Sequence, residues 1–118
     1  MVTLEILYSL TPTDFTDIID TAMMACGYWI DEASFYEPYD DGDPEAKLTL
    51  RCEGQIYEVT QSKLEEAISK VFHNEIKVSQ STRGDIVSAV KEDDYGYVDS
   101  DAADVLLQTA CFGEIVYG

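Results

Sequence analysis

The stretch YEPYDDGDPE, residues 36–45, concentrates side chains that could bind a metal ion. It places five carboxylates and no cation within ten positions. A calcium-binding EF-hand loop needs oxygen ligands at its positions 1, 3, 5 and 12 around a glycine at position 6. With Gly42 at position 6, Leu48 falls at position 12, and with Gly96 there Lys91 falls at position 1. Neither register works, so we expect no metal ion and no other cofactor.

Groups for acid–base or nucleophilic catalysis are sparse. His73 is the single histidine, near the end of a predicted helix, where a cation would interact favourably with the helix dipole. No nucleophile-elbow, phosphate-loop, zinc-protease or dinucleotide-binding motif is present. Paired carboxylates drive some hydrolases, but 24 acids among 118 residues make any chosen pair uninformative. We expect a protein that is not an enzyme, with a small hydrolase as a minor alternative.

The three cysteines and the start of the chain bear on the compartment. Cys26, Cys52 and Cys111 are widely spaced beside apolar residues, which favours buried, reduced thiols over zinc binding or redox chemistry. The sequence has no run of 18 apolar residues, and its first residues lack the basic segment of a secretion signal. We therefore expect a cytoplasmic protein with no membrane partner.

The distribution of charge is the most informative feature. The net charge is −17, and all seven Lys and Arg residues lie between residues 47 and 91. Residues 1–46 carry −11, the middle carries +1 and residues 92–118 carry −7. A nucleic-acid-binding protein neutralises phosphates with clustered bases, so direct nucleic-acid binding is excluded on electrostatic grounds.

A surface rich in carboxylates could instead occupy the basic groove of a nucleic-acid-binding protein. Tyrosines beside the carboxylates would add rigid contact area. We predict two partner-binding clusters: Glu37, Tyr39, Asp40, Asp41, Asp43 and Glu45; and Asp93, Asp94, Tyr95, Tyr97, Asp99 and Asp101. The alternative is that both are solvated loops with tyrosines partly buried beneath them, and that the acidity only keeps the protein soluble.

The elements that must position these clusters begin with a strand and a helix. Val2, Leu4, Ile6, Tyr8 and Leu10 alternate as in an N-terminal strand. The period then changes to that of a helix over about 14–26, capped by Thr13 or Asp14 and ended by Gly27.

The rest of the chain predicts an α+β domain with a small antiparallel sheet. Residues Tyr28–Tyr36 read as a strand, and 47–60 as a hairpin that turns at Glu53 and Gly54. The second main helix, after that at 14–26, is predicted at about 61–73, capped by Thr60 or Ser62 with Glu65. A C-terminal helix is predicted at about 100–112, capped by Asp99 or Ser100 and ended by Gly113. We also expect a short helix near 85–92, a short strand at 76–78 and a strand-like EIVYG tail, all within a single domain, 1–118.

Two segments carry a resemblance. TAMMACGYWIDEASFY (21–36) and DAADVLLQTACFGEIVYG (101–118) are similar to small, uncharacterised proteins of tailed bacteriophages. The matching positions are Ala22, Gly27, Tyr28, Trp29, Asp101, Asp104, Gln108, Ala110, Phe112, Gly113, Glu114, Tyr117 and Gly118. YEVTQSKLEEAI also resembles the strand-then-helix middle of that group, which gives a match over about half of the chain.

The resemblance implies a phage or prophage origin and imports no biochemical activity. Small acidic phage proteins often inhibit host defences, several by imitating DNA, which is an argument by analogy. We therefore expect an anti-CRISPR or anti-restriction inhibitor that acts in the cytoplasm of the infected bacterium on a basic surface of a host enzyme. The alternative is a phage accessory protein that binds another protein through its aromatic residues. The oligomeric state stays open between monomer and dimer.

Overall fold

A three-stranded antiparallel sheet and four helices make up the part of the chain that the structure, a computed structural model, describes, residues 10–37 and 45–118. The helices are α1 (Pro12–Ala25), α2 (Gln61–Phe72), α3 (Gln80–Glu92) and α4 (Ser100–Phe112), and the strands are β1 (Glu32–Tyr36), β2 (Lys47–Cys52) and β3 (Gln55–Thr60). A 3-10 turn, Tyr95–Tyr97, precedes α4. The predicted α+β class with a small antiparallel sheet is confirmed.

Two predictions fall outside the described residues. The N-terminal strand was predicted over residues that lie almost wholly before the first described residue, Leu10. Tyr39, Asp40, Asp41 and Asp43 of the first acidic cluster belong to 38–44, which is also outside. Leu10 itself is buried, and its backbone N–H donates to Glu65 Oε2 at 2.7 Å while its C=O accepts from Gln61 Nε2 at 2.9 Å. The segment that leads into α1 is therefore attached to the first turn of α2.

The predicted hairpin is confirmed at β2 and β3. Lys47 pairs with Thr60 and Cys52 with Gln55, which leaves a loop of two residues. Glu53 and Gly54 both have positive φ, 49° and 80°, as a two-residue turn that matches the twist of its strands requires. Glycine adopts a positive φ without strain, so Gly54 favours the turn. Glu53 must adopt a positive φ in the same turn.

The second strand is shorter than the prediction of Tyr28–Tyr36, because β1 starts only at Glu32. The N–H groups of Trp29 and Ile30 both donate to Cys26 O at 3.1 Å, so the chain continues to turn after α1 before it becomes extended. Tyr28 and Trp29 are residue types that favour strands, but here they lie in a turn. Their tertiary packing outweighs their local preference for a strand.

Helices α1, α2 and α4 lie within two residues of their predicted bounds. The cap of α1 is Thr11, not Thr13 or Asp14, with Asp14 as the reciprocal member of a capping box. Thr60 caps α2, whereas Ser62 already lies inside the helix and forms no capping box with Glu65, which binds Leu10. Asp99 caps α4, and Gly113 ends it at a φ of 77°, both as predicted.

Helix α3 was predicted too short, because it starts at Gln80 instead of near residue 85. Ser79 caps it by accepting from Thr82 N at 3.2 Å. Gly84 lies inside this helix, where glycine costs about 1 kcal/mol relative to alanine. Burial of Thr82 and a hydrogen bond from Arg83 Nη2 to Phe72 O, at 2.8 Å, favour the longer helix. The short strand predicted at 76–78 is absent from this described segment.

The core lies between the helices and one face of the sheet. Leu48, Leu50 and Cys52 alternate inward along β2, and Val59 does so on β3. The helices bury the apolar positions that the helical spacing predicts, such as Phe15, Ile18, Ile19, Leu64, Ile68, Leu106 and Leu107. Both α2 and α4 contact β3, whereas the opposite sheet face is open among the described residues.

Candidate functional site

The two ends of the chain that lack bases meet in the fold. Helix α1 packs against α4 and against the Tyr95–Tyr97 turn. None of these three elements contains a Lys or Arg. The fold thus combines the N-terminal and C-terminal acidic segments, which are more than fifty residues apart in sequence, into one region of the molecule.

Tyr95 sits where the acidic segments meet. Its side chain is only 6% exposed. Burial, followed by the negative charges of Asp93, Asp14 and Glu65, raises the pKa of Tyr95 to about 12. Those carboxylates belong to three parts of the chain: the end of α3, the first turn of α1 and α2. Tyr95 therefore offers a partner little contact area, and its position instead marks the convergence of separate acidic elements.

The first acidic cluster borders the same helix. Asp17 and Glu37 line a shallow cavity of about 200 Å³ together with Ala46. Asp17, Asp20 and Glu37 are exposed, as is Glu45. Helix α1 thus borders Glu37 at Asp17 and borders the Tyr95–Tyr97 turn near Asp14. We call the following carboxylates the acidic surface: Asp14, Asp17, Asp20, Glu37, Asp93, Asp94, Asp99 and Asp101.

Several predicted residues of the second cluster also have local structural roles. Asp94 Oδ1 accepts from Gly96 N at 3.0 Å, and Asp99 Oδ1 accepts from Ala102 N at 2.9 Å. Asp93 ends α3 with a φ of 51°. Tyr97 is partly exposed and donates to Glu92 Oε1 at 3.3 Å, and Asp101 is exposed in the first turn of α4. These contacts fix the positions of the carboxylates without neutralising them.

Ion pairs lie elsewhere in the described structure. Among residues 10–37 and 45–118, Lys47 binds Glu58 at 3.2 Å and Arg51 binds Glu32 at 3.1 Å, both on the open face of the sheet. No carboxylate of the acidic surface takes part in a described ion pair. Among the described residues, Lys77 is a base that lines a depression together with Asp101, and it forms no ion pair with that carboxylate.

A second polar cluster forms around Asp104, at the end of α1 that leads to Trp29. Asp104 Oδ1 accepts from Trp29 Nε1 and Gln108 Nε2, both at 2.9 Å, and from Cys26 Sγ at 3.4 Å. Its Oδ2 accepts from Tyr28 OH at 2.5 Å. Burial and the bond to Asp104 raise the pKa of Tyr28 to about 12. This carboxylate joins α4 to the turn after α1.

Gln108 holds the C-terminal segment, which was predicted to be a strand and is not one. Its Oε1 accepts from the N–H groups of Val116 and Tyr117, both at 2.8 Å, and its Nε2 donates to Tyr117 O at 3.1 Å. The glutamine amide thus binds the tail as a neighbouring strand would. A side chain, and not a sheet edge, satisfies these backbone groups.

Aromatic packing completes this cluster. The rings of Trp29 and Tyr117 stack with centroids 5.7 Å apart, and Phe112 lies 5.5 Å from Trp29. Tyr117 OH also donates to Glu53 Oε2 at the hairpin turn. Several residues at the positions of the resemblance therefore meet here: Tyr28, Trp29, Asp104, Gln108, Phe112 and Tyr117. Their contacts account for a structural role.

The three cysteines are free thiols. Cys26 and Cys52 are buried, Cys111 is half-buried, and none is in a disulfide. Burial raises the pKa of the Cys111 thiol to about 12, and burial with the nearby Asp104 raises that of Cys26 further. In the described segments no three His, Cys, Asp or Glu side chains are grouped so as to hold a metal ion, and no helix has the length and apolar character needed to cross a membrane.

No protein-family model, curated protein or solved structure matches this chain. The geometry of the acidic surface is suited to binding, because exposed carboxylates on fixed helical elements can each accept hydrogen bonds from Lys or Arg side chains.

Sequence reasoning missed part of the acidic surface. The sequence singles out Asp14 only as a candidate helix cap, and it singles out neither Asp17 nor Asp20 as a binding residue. Their membership follows from the packing of α1, which periodicity alone does not give. The one available signal was the absence of any base from the first 46 residues.

Proposed function

We propose that this protein is a phage-encoded, non-catalytic inhibitor that blocks a host nucleic-acid-binding defence enzyme, such as a CRISPR effector or a restriction enzyme. It would act in the cytoplasm of the infected bacterium by presenting a DNA-like anionic surface. The observation that supports this most is the packing of α1, the Tyr95–Tyr97 turn and α4, three elements without bases, into one acidic region.

Electrostatics gives this proposal a physical basis. Assembling like charges in one region destabilises the folded state through self-repulsion. A basic groove that normally holds nucleic acid would relieve that repulsion, since it carries charge of the opposite sign. Complementary charge would also accelerate association and make it sensitive to salt.

Inhibition of DNA cleavage by a panel of purified CRISPR effectors and restriction enzymes tests the proposal. We expect the protein to inhibit at least one enzyme, to compete with duplex DNA and to bind much more weakly when salt rises from about 50 to about 300 mM. Binding that survives high salt and leaves DNA in place would contradict mimicry. It would support the alternative of an accessory protein that uses exposed tyrosines such as Tyr28, which is 58% exposed.

Matched charge variants locate the contact. Asp17→Asn with Asp101→Asn removes two exposed charges of the acidic surface, and Glu66→Gln with Glu75→Gln removes two exposed charges from the base-containing middle of the chain. We expect the first pair to weaken inhibition about 2- to 30-fold, since exposed ion pairs contribute about 0.2–1 kcal/mol each. The second pair should change it little. Equal loss of inhibition in the two pairs of variants would show that inhibition depends on net charge and not on the acidic surface.

A further inference from the structure

The open face of the sheet has a regular pattern of side chains. Its outward residues form three rows across β1, β2 and β3: Glu32, Arg51 and Ile56; Ser34, Thr49 and Glu58; Tyr36, Lys47 and Thr60. Two shallow depressions cover the two ends of this face. One, of about 440 Å³, is lined by residues that include Arg51 and Ile56, and the other, of about 450 Å³, by residues that include Tyr36 and Lys47.

This face differs in charge from the rest of the protein. Its three rows hold two acids and two bases, and with Glu45 at the edge of the Tyr36–Lys47 depression the face is close to neutral in a chain of net charge −17. It also exposes apolar area, because Ile56 is 65% and Tyr36 41% accessible. Two copies of such an acidic protein repel each other over most orientations, and a neutral face with exposed apolar side chains is where that repulsion is smallest.

We propose that this sheet face binds the same face of a second copy of the chain. Ile56 and Tyr36 occupy diagonally opposite corners of the three rows. A two-fold axis between the faces, along the diagonal from Glu32 to Thr60, places Ile56 of each copy against Tyr36 of the other. The same operation places Glu58 of each copy against Lys47 of the other. The operation also places Arg51 against Ser34 and brings the two copies of Glu32 together on the axis, each beside the Arg51 of its own chain. The Ile56–Tyr36 and Glu58–Lys47 contacts are thus self-complementary, as a two-fold interface requires.

The small size of the sheet face limits the expected affinity of the dimer. Three strands of five residues cover about 14 by 17 Å. That area is well below the roughly 800 Å² per partner of a standard stable interface, so we expect a weak, reversible dimer that forms only at high protein concentration. Screening of the −17 charge on each copy should strengthen dimerisation at high salt. This dependence is opposite in sign to the one expected for binding a basic enzyme.

Sedimentation equilibrium from about 10 µM to about 1 mM protein, at about 50 and 500 mM salt, tests the proposal. We expect the mass to rise from one chain towards two, more so at high salt. Ile56→Asp should abolish the rise. Met24→Asp adds the same charge at another exposed apolar residue, 81% accessible on α1, and should leave dimerisation intact. A mass of one chain under all conditions, or equal effects of the two variants, would overturn the proposal.

A charge exchange tests the arrangement of the two copies. Lys47→Glu and Glu58→Lys each place like charges opposite each other in the two-fold pair, so each variant alone should be monomeric. Mixed together, the two restore opposite charges at both contacts and should form a heterodimer. Labelling one variant with ¹⁵N distinguishes the heterodimer by native mass spectrometry. A mixture that stays monomeric, or single variants that dimerise as strongly as the original chain, would refute this arrangement.

Discussion

Gln108 is 1% exposed, yet both ends of its amide have hydrogen-bond partners. The carbonyl oxygen binds two backbone N–H groups of the C-terminal segment, and the amide nitrogen binds Asp104 and Tyr117 O. A buried polar side chain is tolerated only when its groups are satisfied in this way. At the scale of single residues, the Asp104–Gln108 pair therefore explains how a tail with no regular secondary structure is held against α4.

Gln108→Leu tests this role. The substitution keeps a side chain of similar size but leaves the N–H groups of Val116 and Tyr117 without their acceptor. Val116 is 53% exposed, so we expect the cost of about one buried unsatisfied group, a loss of about 1–3 kcal/mol in the free energy of unfolding. Urea denaturation measures this loss. Hydrogen exchange of the two amides should accelerate as well, and unchanged protection would contradict the assignment.

Helix α1 shows how a local motif fixes an element that carries part of the acidic surface. Thr11 Oγ1 accepts from Asp14 N at 3.0 Å, and Asp14 Oδ2 accepts from Thr11 N at 3.1 Å. The reciprocal bonds satisfy two N–H groups at the start of the helix, and Pro12 follows at the first helical position, where it removes no needed donor. The sequence predicted the helix, but three neighbouring residues, Thr11, Thr13 and Asp14, can all serve as caps by residue type.

Thr11→Ala should destabilise the protein by about 1 kcal/mol, the usual contribution of a threonine cap. Thr13→Ala is the matched control, since Thr13 is exposed within the first turn and caps nothing in the described structure. We expect its effect to be within about 0.5 kcal/mol of zero. Thermal unfolding followed by circular dichroism compares them, and a larger effect at Thr13 than at Thr11 would contradict the observed cap.

At helix α3 and strand β1, long-range contacts change the bounds that the local sequence pattern predicts. The sequence predicts only a short helix near 85–92, but α3 starts at Gln80 and includes Gly84, because Thr82 is buried and Arg83 binds the end of α2. Tyr28 and Trp29 read as a strand, but they turn because their side chains bind Asp104. In each case a long-range contact outweighs a propensity of less than about 1 kcal/mol per residue.

Over the whole molecule, the groups with raised pKa values predict sensitivity to alkali. Burial is the leading cause for Tyr28, Tyr95 and Cys111, each of which has a pKa of about 12 in the folded protein. In the unfolded chain tyrosine ionises near 10 and cysteine near 8.5. The folded state keeps these protons longer, so their contribution to stability is complete below about pH 8.5 and is lost as the pH rises to about 12.

Urea denaturation between about pH 8 and pH 11 should thus show a falling free energy of unfolding. Tyr95→Phe removes one of the three groups and should make the decline shallower, whatever its effect at neutral pH. A decline that is as steep in the variant would show that Tyr95 does not contribute.

The sequence by itself determined the helices with strong apolar periodicity, the hairpin with its glycine turn, and the confinement of all bases to residues 47–91. These features depend on neighbours within a few positions or on composition. Only the tertiary structure decided that α1 lies against α4 and the Tyr95–Tyr97 turn, that Asp104 binds Trp29, and that Gln108 holds the tail. Such contacts join residues far apart along the chain, and their choice depends on how buried surfaces fit together, which no local pattern encodes.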